Sequence, residues 1–262
     1  MSEYAIRLKR PHERQRHIIA SEAKRKVIRA GRRSGKTTAM SIMATEALLD
    51  RRRVLYATPT QEQITAFWGE VTEALMPLIQ AEQILKNETR HTLAFDAGHL
   101  RAKTAWDSDS LRGDAADLLI LDEFQLMHED TWERVGSPMM LDSDGTAVFC
   151  FTPPSRASAA RSKARDPRHA IRVYNRAAAD ASGRWEAIHF TSMDNPHISE
   201  IALAEVSQDM GSVAYRQEIL AEDVVDDDGG IFRRDWFERI QRPPHIEQQV
   251  RHWDLAATAG PA

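Results

Sequence analysis

Short apolar runs alternate along the chain with longer stretches whose apolar positions recur at helical spacing. The helical stretch after the run at 54–57, for example, places Ile64, Phe67, Trp68 and Val71 on one face and is preceded by Thr60, which can cap it. Runs of this kind are typical of strands buried on both faces of a parallel sheet. The pattern therefore predicts an α/β fold with a mainly parallel central sheet flanked by helices. The predicted strands cover residues 27–30, 54–57, 118–121, 147–151 and 187–190.

Residues 92–106 follow a different pattern, with period two in place of continuous apolar character. Leu93 and Phe95 alternate with polar neighbours before Asp96-Ala97-Gly98, and Leu100 and Ala102 alternate after it. A short Asp- and Gly-bearing turn between two alternating segments predicts a β-hairpin. A helix is predicted further on, at residues 199–210.

Length and charge narrow the classes of protein that the chain can represent. Its 262 residues suffice for one large α/β domain with small additions. The net charge of −4 means that any DNA binding would depend on local basic patches, such as the arginines at 51–53 or after Pro154. A single cysteine, Cys150, excludes an internal disulfide, and no apolar run approaches the roughly 18 residues of a membrane helix. We therefore expect a soluble intracellular protein.

A phosphate-binding loop is predicted between the first strand and the following helix. Residues 31–38 read Gly-Arg-Arg-Ser-Gly-Lys-Thr-Thr, and Ala30 stands where the strict motif has its first glycine, so the loop is a variant. Backbone N–H groups and the helix N-terminus would bind the phosphates. Lys36 would reach the β and γ phosphates, and the Thr37 hydroxyl would bind Mg²⁺. The predicted nucleotide-binding residues in the loop are Gly31, Arg32, Arg33, Ser34, Gly35, Lys36, Thr37 and Thr38.

Two adjacent acids follow the buried strand at 118–121, at the end where ligands bind in open α/β sheets. Asp122 is predicted to hold Mg²⁺, directly or through water, and Glu123 to orient or deprotonate an attacking water. Thr152 directly follows another strand, beside the same edge of the sheet. Its hydroxyl would be able to sense the γ-phosphate.

Taken in order, these motifs resemble the large terminase subunit of tailed bacteriophages, the ATPase that pumps DNA into a preformed capsid. The resemblance implies a P-loop NTPase of the additional-strand, catalytic-glutamate type with a small lid subdomain. It implies Mg²⁺-dependent ATP hydrolysis that drives double-stranded viral DNA into a procapsid. The implied partners are the portal and the small terminase subunit, the implied working form is a homo-oligomeric ring, and the implied location is the host cytoplasm without any membrane attachment.

The resemblance also assigns roles to individual residues. Gln15, in the segment 11–15, would read the adenine base, and Thr152 would couple hydrolysis to movement. An arginine finger is implied, for which two candidates stay open: Arg32 acting within its own site, or Arg112 reaching into a neighbour's site. The segments 191–197 and 215–219 resemble later family segments with structural roles.

The same resemblance divides the chain into parts. Residues 1–154 would form the ATPase core, 155–225 the lid and remaining ATPase subdomain, and 226–246 a linker. Residues 247–262 resemble the first strand of a ribonuclease-H-like nuclease, with Asp254 as its first metal-binding acid. Because two-metal cleavage needs several carboxylates, no nuclease activity is expected from this chain.

Two other functions compete with the packaging motor. A two-lobed DNA helicase would need a second ATPase-like lobe, and too few residues follow Thr152 to form one. A non-catalytic assembly module or prophage remnant would bind partners or nucleotide without turnover. The intact Lys36, Thr37, Asp122 and Glu123 argue against the second alternative.

Overall fold

A computed structural model of the protein describes residues 4–154, 162–166 and 168–224. Its strands are β1 Arg25–Ala30, β2 Arg53–Thr58, β3 Leu85–Asn87, β4 Thr92–Phe95, β5 Gly98–Thr104, β6 Leu118–Leu121, β7 Thr146–Phe151 and β8 Trp185–Phe190. Its α-helices are α1 Glu13–Ala20, α2 Lys36–Leu49, α3 Gln61–Ala74, α4 Met76–Gln80, α5 Ser137–Met139, α6 His169–Ala178, α7 Glu200–Asp209 and α8 Ser212–Glu218. Short 3₁₀ turns lie at Ser108–Leu111, Phe124–Leu126 and Ser192–Asp194, and a π-helical segment at Thr131–Gly136 leads into α5.

The eight strands form one sheet in the order β3-β4-β5-β2-β6-β7-β1-β8. All neighbours from β5 to β8 run parallel, whereas β3, β4 and β5 pair antiparallel. The predicted hairpin is the β4–β5 pair, in which Phe95 lies opposite Gly98. Strand β7 lies between β1, which leads into the predicted phosphate loop, and β6, which precedes the two acids. It is the additional strand of the predicted additional-strand type. The predicted mainly parallel α/β sheet is confirmed.

Apolar side chains cover both faces of the sheet, as the continuous apolar strands require. On one face α2 and α3 contribute Met40, Leu48 and Phe67, and the Phe67 ring stacks on Tyr56 of β2 at 3.7 Å. On the other face Phe124 and Trp132 pack against Phe149 of β7. Among the helices that the structure describes, none has the length and apolar character needed to cross a lipid bilayer.

The division at residue 154 between the ATPase core and the lid with the remaining ATPase subdomain stays a prediction. Strand β8, from the range assigned to the lid, pairs in parallel with β1 over six residues and completes the sheet. The compact unit of the chain extends to Val224. The linker and nuclease-like segments expected at 226–246 and 247–262, including Asp254, lie outside the described residues.

The arginine run at 51–53 does not form a free basic patch. Arg51 pairs with Asp96 at 2.5 Å, the Arg52 guanidinium donates to the carbonyl of Asp117 at 3.0 Å, and the Arg53 guanidinium pairs with the Asp117 carboxylate at 2.7 Å. The run lies at the amino end of β2, whereas the predicted site residues follow the carboxyl ends of β1, β6 and β7. These arginines therefore stabilise the opposite edge of the sheet.

We expect Asp117→Asn to lower the free energy of unfolding at neutral pH by about 1 kcal/mol, a modest value because the Arg53 guanidinium is half-exposed and screened. The hydrogen bond from Arg53 holds the pKa of Asp117 at about 2, below its usual 3.8. A lowered acid pKa contributes stability above pH 3.8 that is lost as pH falls towards 2. Urea unfolding of both proteins should thus show a difference that shrinks below about pH 4.

The exposed Asp209→Asn at the end of α7 provides the matched control, since Asp209 has no ion-pair partner within the described residues. A difference for Asp117→Asn that stays constant from neutral to acid pH would contradict the assigned role of its charge.

Candidate functional site

The loop between β1 and α2 adopts a backbone path that only glycine permits at two points. Gly35 has φ +91° and begins α2, and a Cβ there would lie 2.5 Å from Nε2 of Gln15. A Cβ on Gly31 would lie 2.3 Å from the carbonyl oxygen of Ile219. Arg33 also has a positive φ, +57°. The loop is thus packed closely between α1 on one side and the end of α8 on the other.

Lys36 is buried and turned back onto its own loop. Its Nζ donates to the carbonyl oxygens of Ala30 at 3.1 Å and Gly31 at 2.9 Å, and to Oγ1 of Thr152 at 3.1 Å. The Thr152 hydroxyl in turn donates to the Ala30 carbonyl at 3.1 Å. The structure therefore brings together a lysine and a threonine that lie 116 positions apart in the sequence.

The two acids after β6 occupy different environments. Asp122 is only 5% exposed, and its carboxylate accepts hydrogen bonds from the Tyr56 hydroxyl at 2.7 Å and the Glu123 N–H at 3.0 Å. Burial, together with the neighbouring charge of Glu123, raises the pKa of Asp122 to about 6, although the hydrogen bond from Tyr56 and the positive charge of Lys36 oppose the rise. Glu123 has a left-handed backbone, φ +54°, and its side chain faces a cleft.

An open cleft of about 1070 Å³ runs along the carboxyl edge of the sheet. Of the predicted site residues it is lined by Arg32, Arg33, Ser34, Gly35, Lys36, Thr37, Thr38, Glu123 and Thr152. Its other walls come from Pro59, Thr60, Glu62, Gln63, Trp106, Gln125, Leu126, Pro153, Ser162, Lys163, Asn195, Ile198 and Glu218. Asp122 lies behind Glu123 and does not line the cleft.

Gln15 and Arg112 have contacts that bear on their predicted roles. The Gln15 amide is engaged at both ends, since it donates to the Gly35 carbonyl at 2.8 Å and accepts from the His12 N–H at 2.9 Å. Base reading by Gln15 would require these bonds to be exchanged. Arg112 is exposed, pairs with Asp109 at 2.8 Å and does not line the cleft, so within its own chain it contributes no charge there.

Arg32 lines the cleft, but its guanidinium is held at the rim. Its Nε pairs with Glu218 at 2.5 Å, although the side chain is largely exposed. A role in stabilising negative charge would need this ion pair to open. The choice between Arg32 and Arg112 as an arginine finger thus stays a prediction.

Residues beyond β8 support the loop through hydrogen bonds whose partners the sequence does not reveal. The Ser192 hydroxyl donates to the Arg32 carbonyl at 2.6 Å, and the Asn195 amide donates to the Arg33 carbonyl at 2.7 Å. The Arg32 N–H donates to the Glu218 carbonyl at 2.7 Å. The segments 191–197 and 215–219 therefore hold the backbone of the loop in place.

Trp106 lines the cleft but belongs to no motif that marks it as a site residue. It follows β5, is 49% exposed, and has the Lys163 ammonium 4.3 Å from its ring centre. Nothing in the local pattern distinguishes it from a core aromatic, because its position at the cleft depends on how β5 pairs with β2. Trp106 and Lys163 form one wall of the cleft beside Glu123.

The residues present fit a magnesium ion that is shared with a nucleotide. Thr37 and Glu123 line the cleft, and the buried Asp122 carboxylate lies next to Glu123 in the chain, so two acids adjoin the predicted phosphate loop. In the described part of the chain no group of three or more His, Cys, Asp or Glu side chains is arranged to hold a metal. Since Mg²⁺ is usually bound by one or two protein ligands plus phosphate oxygens and water, this sparse set is appropriate.

Comparisons with known proteins agree with the motifs. Residues 27–239 match the family described as terminase large subunit, T4likevirus-type, N-terminal. The large terminase subunits of Thermus virus P23-45 and Thermus phage G20c are each 30% identical to the chain over 164 residues. These matches cover 55% of this chain and 34% of each relative, so the chain spans about a third of the relatives' length.

Solved structures resemble the fold. The large terminase ATPase domain of Thermus phage P74-26 gives a TM-score of 0.66 at 24% identity, covering 82% of this chain and 94% of that one. The HK97 bacteriophage large terminase gives 0.64 at 12% identity, covering 82% and 51%. A large terminase from a thermophilic bacteriophage, in complex with ADP, gives 0.60 at 19% identity, covering 81% and 53%. At these identities the likeness establishes the P-loop ATPase fold.

Proposed function

The chain belongs to the large-subunit terminase family of the T4-like-virus type, and on this basis we propose that it hydrolyses ATP to drive double-stranded viral DNA into a procapsid. One observation carries the proposal. The same cleft is lined by Lys36 of the loop, by Glu123 after β6 and by Thr152 after β7. Lys36 and Thr152 are hydrogen-bonded to each other.

The proposed chemistry assigns a task to each group. The N-terminus of α2 and the loop N–H groups would bind the phosphates, and Lys36 would exchange its carbonyl acceptors for phosphate oxygens. Thr37, together with Asp122 directly or through water, would hold Mg²⁺, which supplies positive charge to the phosphates when bound. Glu123 would accept a proton from the water that attacks the γ-phosphorus. Arg32, or Arg112 of a neighbouring subunit, would stabilise the developing charge.

Coupling to movement would begin at Thr152. Because its hydroxyl both accepts from Lys36 and donates to the Ala30 carbonyl, a shift of Lys36 on loss of the γ-phosphate would disturb the end of β7. The chain then continues through Pro153 and Pro154 into the proposed lid at 155–225. We propose that hydrolysis is transmitted along this path.

The proposed partners follow from the family and from the charges after Pro154. Contacts to DNA would be sequence-independent and sensitive to salt, because they would involve the phosphate backbone. Some basic side chains of this region are already paired, as Arg168 is with Asp223 at 2.5 Å. Assembly into a ring in the host cytoplasm, with the portal and the small terminase subunit, belongs to the same proposal, as do a linker at 226–246 and a nuclease-like strand bearing Asp254.

Phosphate release by the purified chain tests the proposal. We expect turnover of ATP that requires Mg²⁺, increases with protein concentration as subunits assemble, and responds to added double-stranded DNA. Chelation of Mg²⁺ should abolish it. Nucleotide binding without turnover at any protein concentration, with or without DNA, would contradict the motor and favour a non-catalytic assembly module.

We expect Tyr56→Phe to raise the Mg²⁺ concentration for half-maximal hydrolysis about tenfold. The Tyr56 hydroxyl donates to the Asp122 carboxylate at 2.7 Å and therefore orients the proposed metal ligand. Titration of activity with Mg²⁺ at saturating ATP measures the effect. Tyr174→Phe is the matched control, because Tyr174 packs against Phe151 away from the acids and should leave the titration unchanged. Equal titrations for Tyr56→Phe and the control would contradict the assignment of Asp122.

A further inference from the structure

We propose that Gln125 is a positioning residue that holds Glu123 in the orientation needed for hydrolysis, an inference that rests on the proposed function. The Gln125 Nε2 donates to Oε2 of Glu123 at 2.7 Å, and both residues line the cleft. A carboxylate can only accept, so the amide must present its NH₂ end to Glu123. The orientation of the amide is therefore fixed by the partner that it holds.

The local backbone explains why these two side chains meet. Glu123 has φ +54° and is followed by the 3₁₀ turn Phe124–Leu126, which the Leu126 N–H closes by donating to the Glu123 carbonyl at 2.9 Å. Phe124 between them is buried against Phe149. The turn thus anchors its middle residue in the core and presents the residues on either side, Glu123 and Gln125, to the cleft.

Stability of the fold does not account for a glutamine at this position. Gln125 is only 4% exposed, and its Oε1 is buried without a hydrogen-bond partner among the described residues. A buried amide oxygen without a partner disfavours the folded state, and a methionine of similar length would avoid the cost. The benefit of the amide must therefore lie at its other end, where it contacts Glu123. Local rules are broken in this way at functional sites.

The same turn is hydrogen-bonded to residues 162–163. The Ser162 hydroxyl donates to the Gln125 carbonyl at 2.9 Å, and the Lys163 N–H donates to the Leu126 carbonyl at 3.1 Å. Residues 162–163 therefore hold the backbone that carries Gln125.

The contact between Gln125 and Glu123 affects the rate of the chemical step. As the water oxygen bonds to the γ-phosphorus, the bond to the β–γ bridging oxygen breaks with its electron pair, and the water proton passes to the Glu123 carboxylate. A carboxylate that rotates freely spends less time within reach of that proton. Among the described residues Gln125 makes no side-chain hydrogen bond to the phosphate-binding loop, so its loss should lower kcat and leave the KM for ATP unchanged.

Gln125→Met tests the proposal, with Gln83→Met on the exposed surface as control. We expect kcat to fall about tenfold, the KM for ATP to stay within about twofold, and the thermal unfolding temperature to be equal to or above that of the wild type. Ser162→Ala should change kcat in the same direction by a smaller factor. In a Glu123→Asp background, where the shortened acid lies beyond the amide's reach, Gln125→Met should cause no further loss of kcat.

Three results would overturn the inference while leaving ATP hydrolysis intact. The first is a wild-type kcat for Gln125→Met. The second is a fall in kcat on adding Gln125→Met to Glu123→Asp that equals the fall caused by Gln125→Met alone. The third is an unfolding temperature of Gln125→Met low enough to account for its lost activity. A wild-type protein without any turnover would instead overturn this inference together with the proposed function.

Discussion

We expect Glu123→Gln to lower the kcat of ATP hydrolysis by about 10²–10⁴-fold and to leave nucleotide affinity within about twofold. Glutamine has nearly the shape of glutamate, and Glu123 lines the cleft beside the loop that would bind the phosphates, so the substitution leaves the walls of the cleft in place. The amide cannot accept the proton of the attacking water. Only the proton transfer is therefore removed, and the effect should appear in kcat and not in binding.

Single-turnover phosphate release and an equilibrium titration with a fluorescent ATP analogue separate the two quantities. Glu62→Gln is the matched control, because Glu62 lines the same cleft at the start of α3 and makes no contact with Asp122 or Lys36. It should hydrolyse ATP at the wild-type rate. If Glu123→Gln retained most of the activity, or if both variants lost it equally, Glu123 would not be the general base.

The parts of the fold that the sequence predicts are those set by local patterns. β6 covers residues 118–121 as predicted because four apolar residues in succession are bounded by charge on both sides. Thr60 caps α3 with Gln63 in a reciprocal hydrogen-bonded pair, as its position before an apolar stripe indicated. The loop at 31–38 follows a strand and opens a helix as expected. In each case the signal lies within a few residues.

The remaining features depend on which distant segments meet. The bond between Lys36 and Thr152 requires β7 to lie next to β1 in the sheet, an order that no local pattern specifies. Ser192 supports the loop only because β8 pairs with β1 and delivers the following turn to the Arg32 carbonyl. Gln125 belongs to no sequence motif, and it lines the same cleft as Glu123 because the backbone turns sharply at the left-handed Glu123.

The proposed division of labour between the two acids also rests on tertiary structure. Adjacent residues of a strand point to opposite faces. The structure buries Asp122 against the Tyr56 hydroxyl and leaves Glu123 facing the cleft, so that one acid is fixed and the other is accessible. This asymmetry supports metal binding for the first and proton transfer for the second.

Lys36→Met is expected to weaken ATP binding and hydrolysis by about 10²–10³-fold in kcat/KM. The Lys36 ammonium is buried, so it attracts phosphate oxygens with less screening than a surface cation would. Folding should persist, because methionine fills the same space and the Ala30 carbonyl keeps its hydrogen bond from Thr152. Nucleotide titration and thermal unfolding measure the two effects, with Lys24→Met, at a surface ion pair with Asp144, as control.

Among the described residues, the bond from Lys36 is the only hydrogen bond between α2 and the Thr152 side chain. The Lys36→Met protein should therefore also lose any DNA-dependent change in turnover. Tight ATP binding by a folded Lys36→Met protein would contradict the assignment of the loop as the phosphate site.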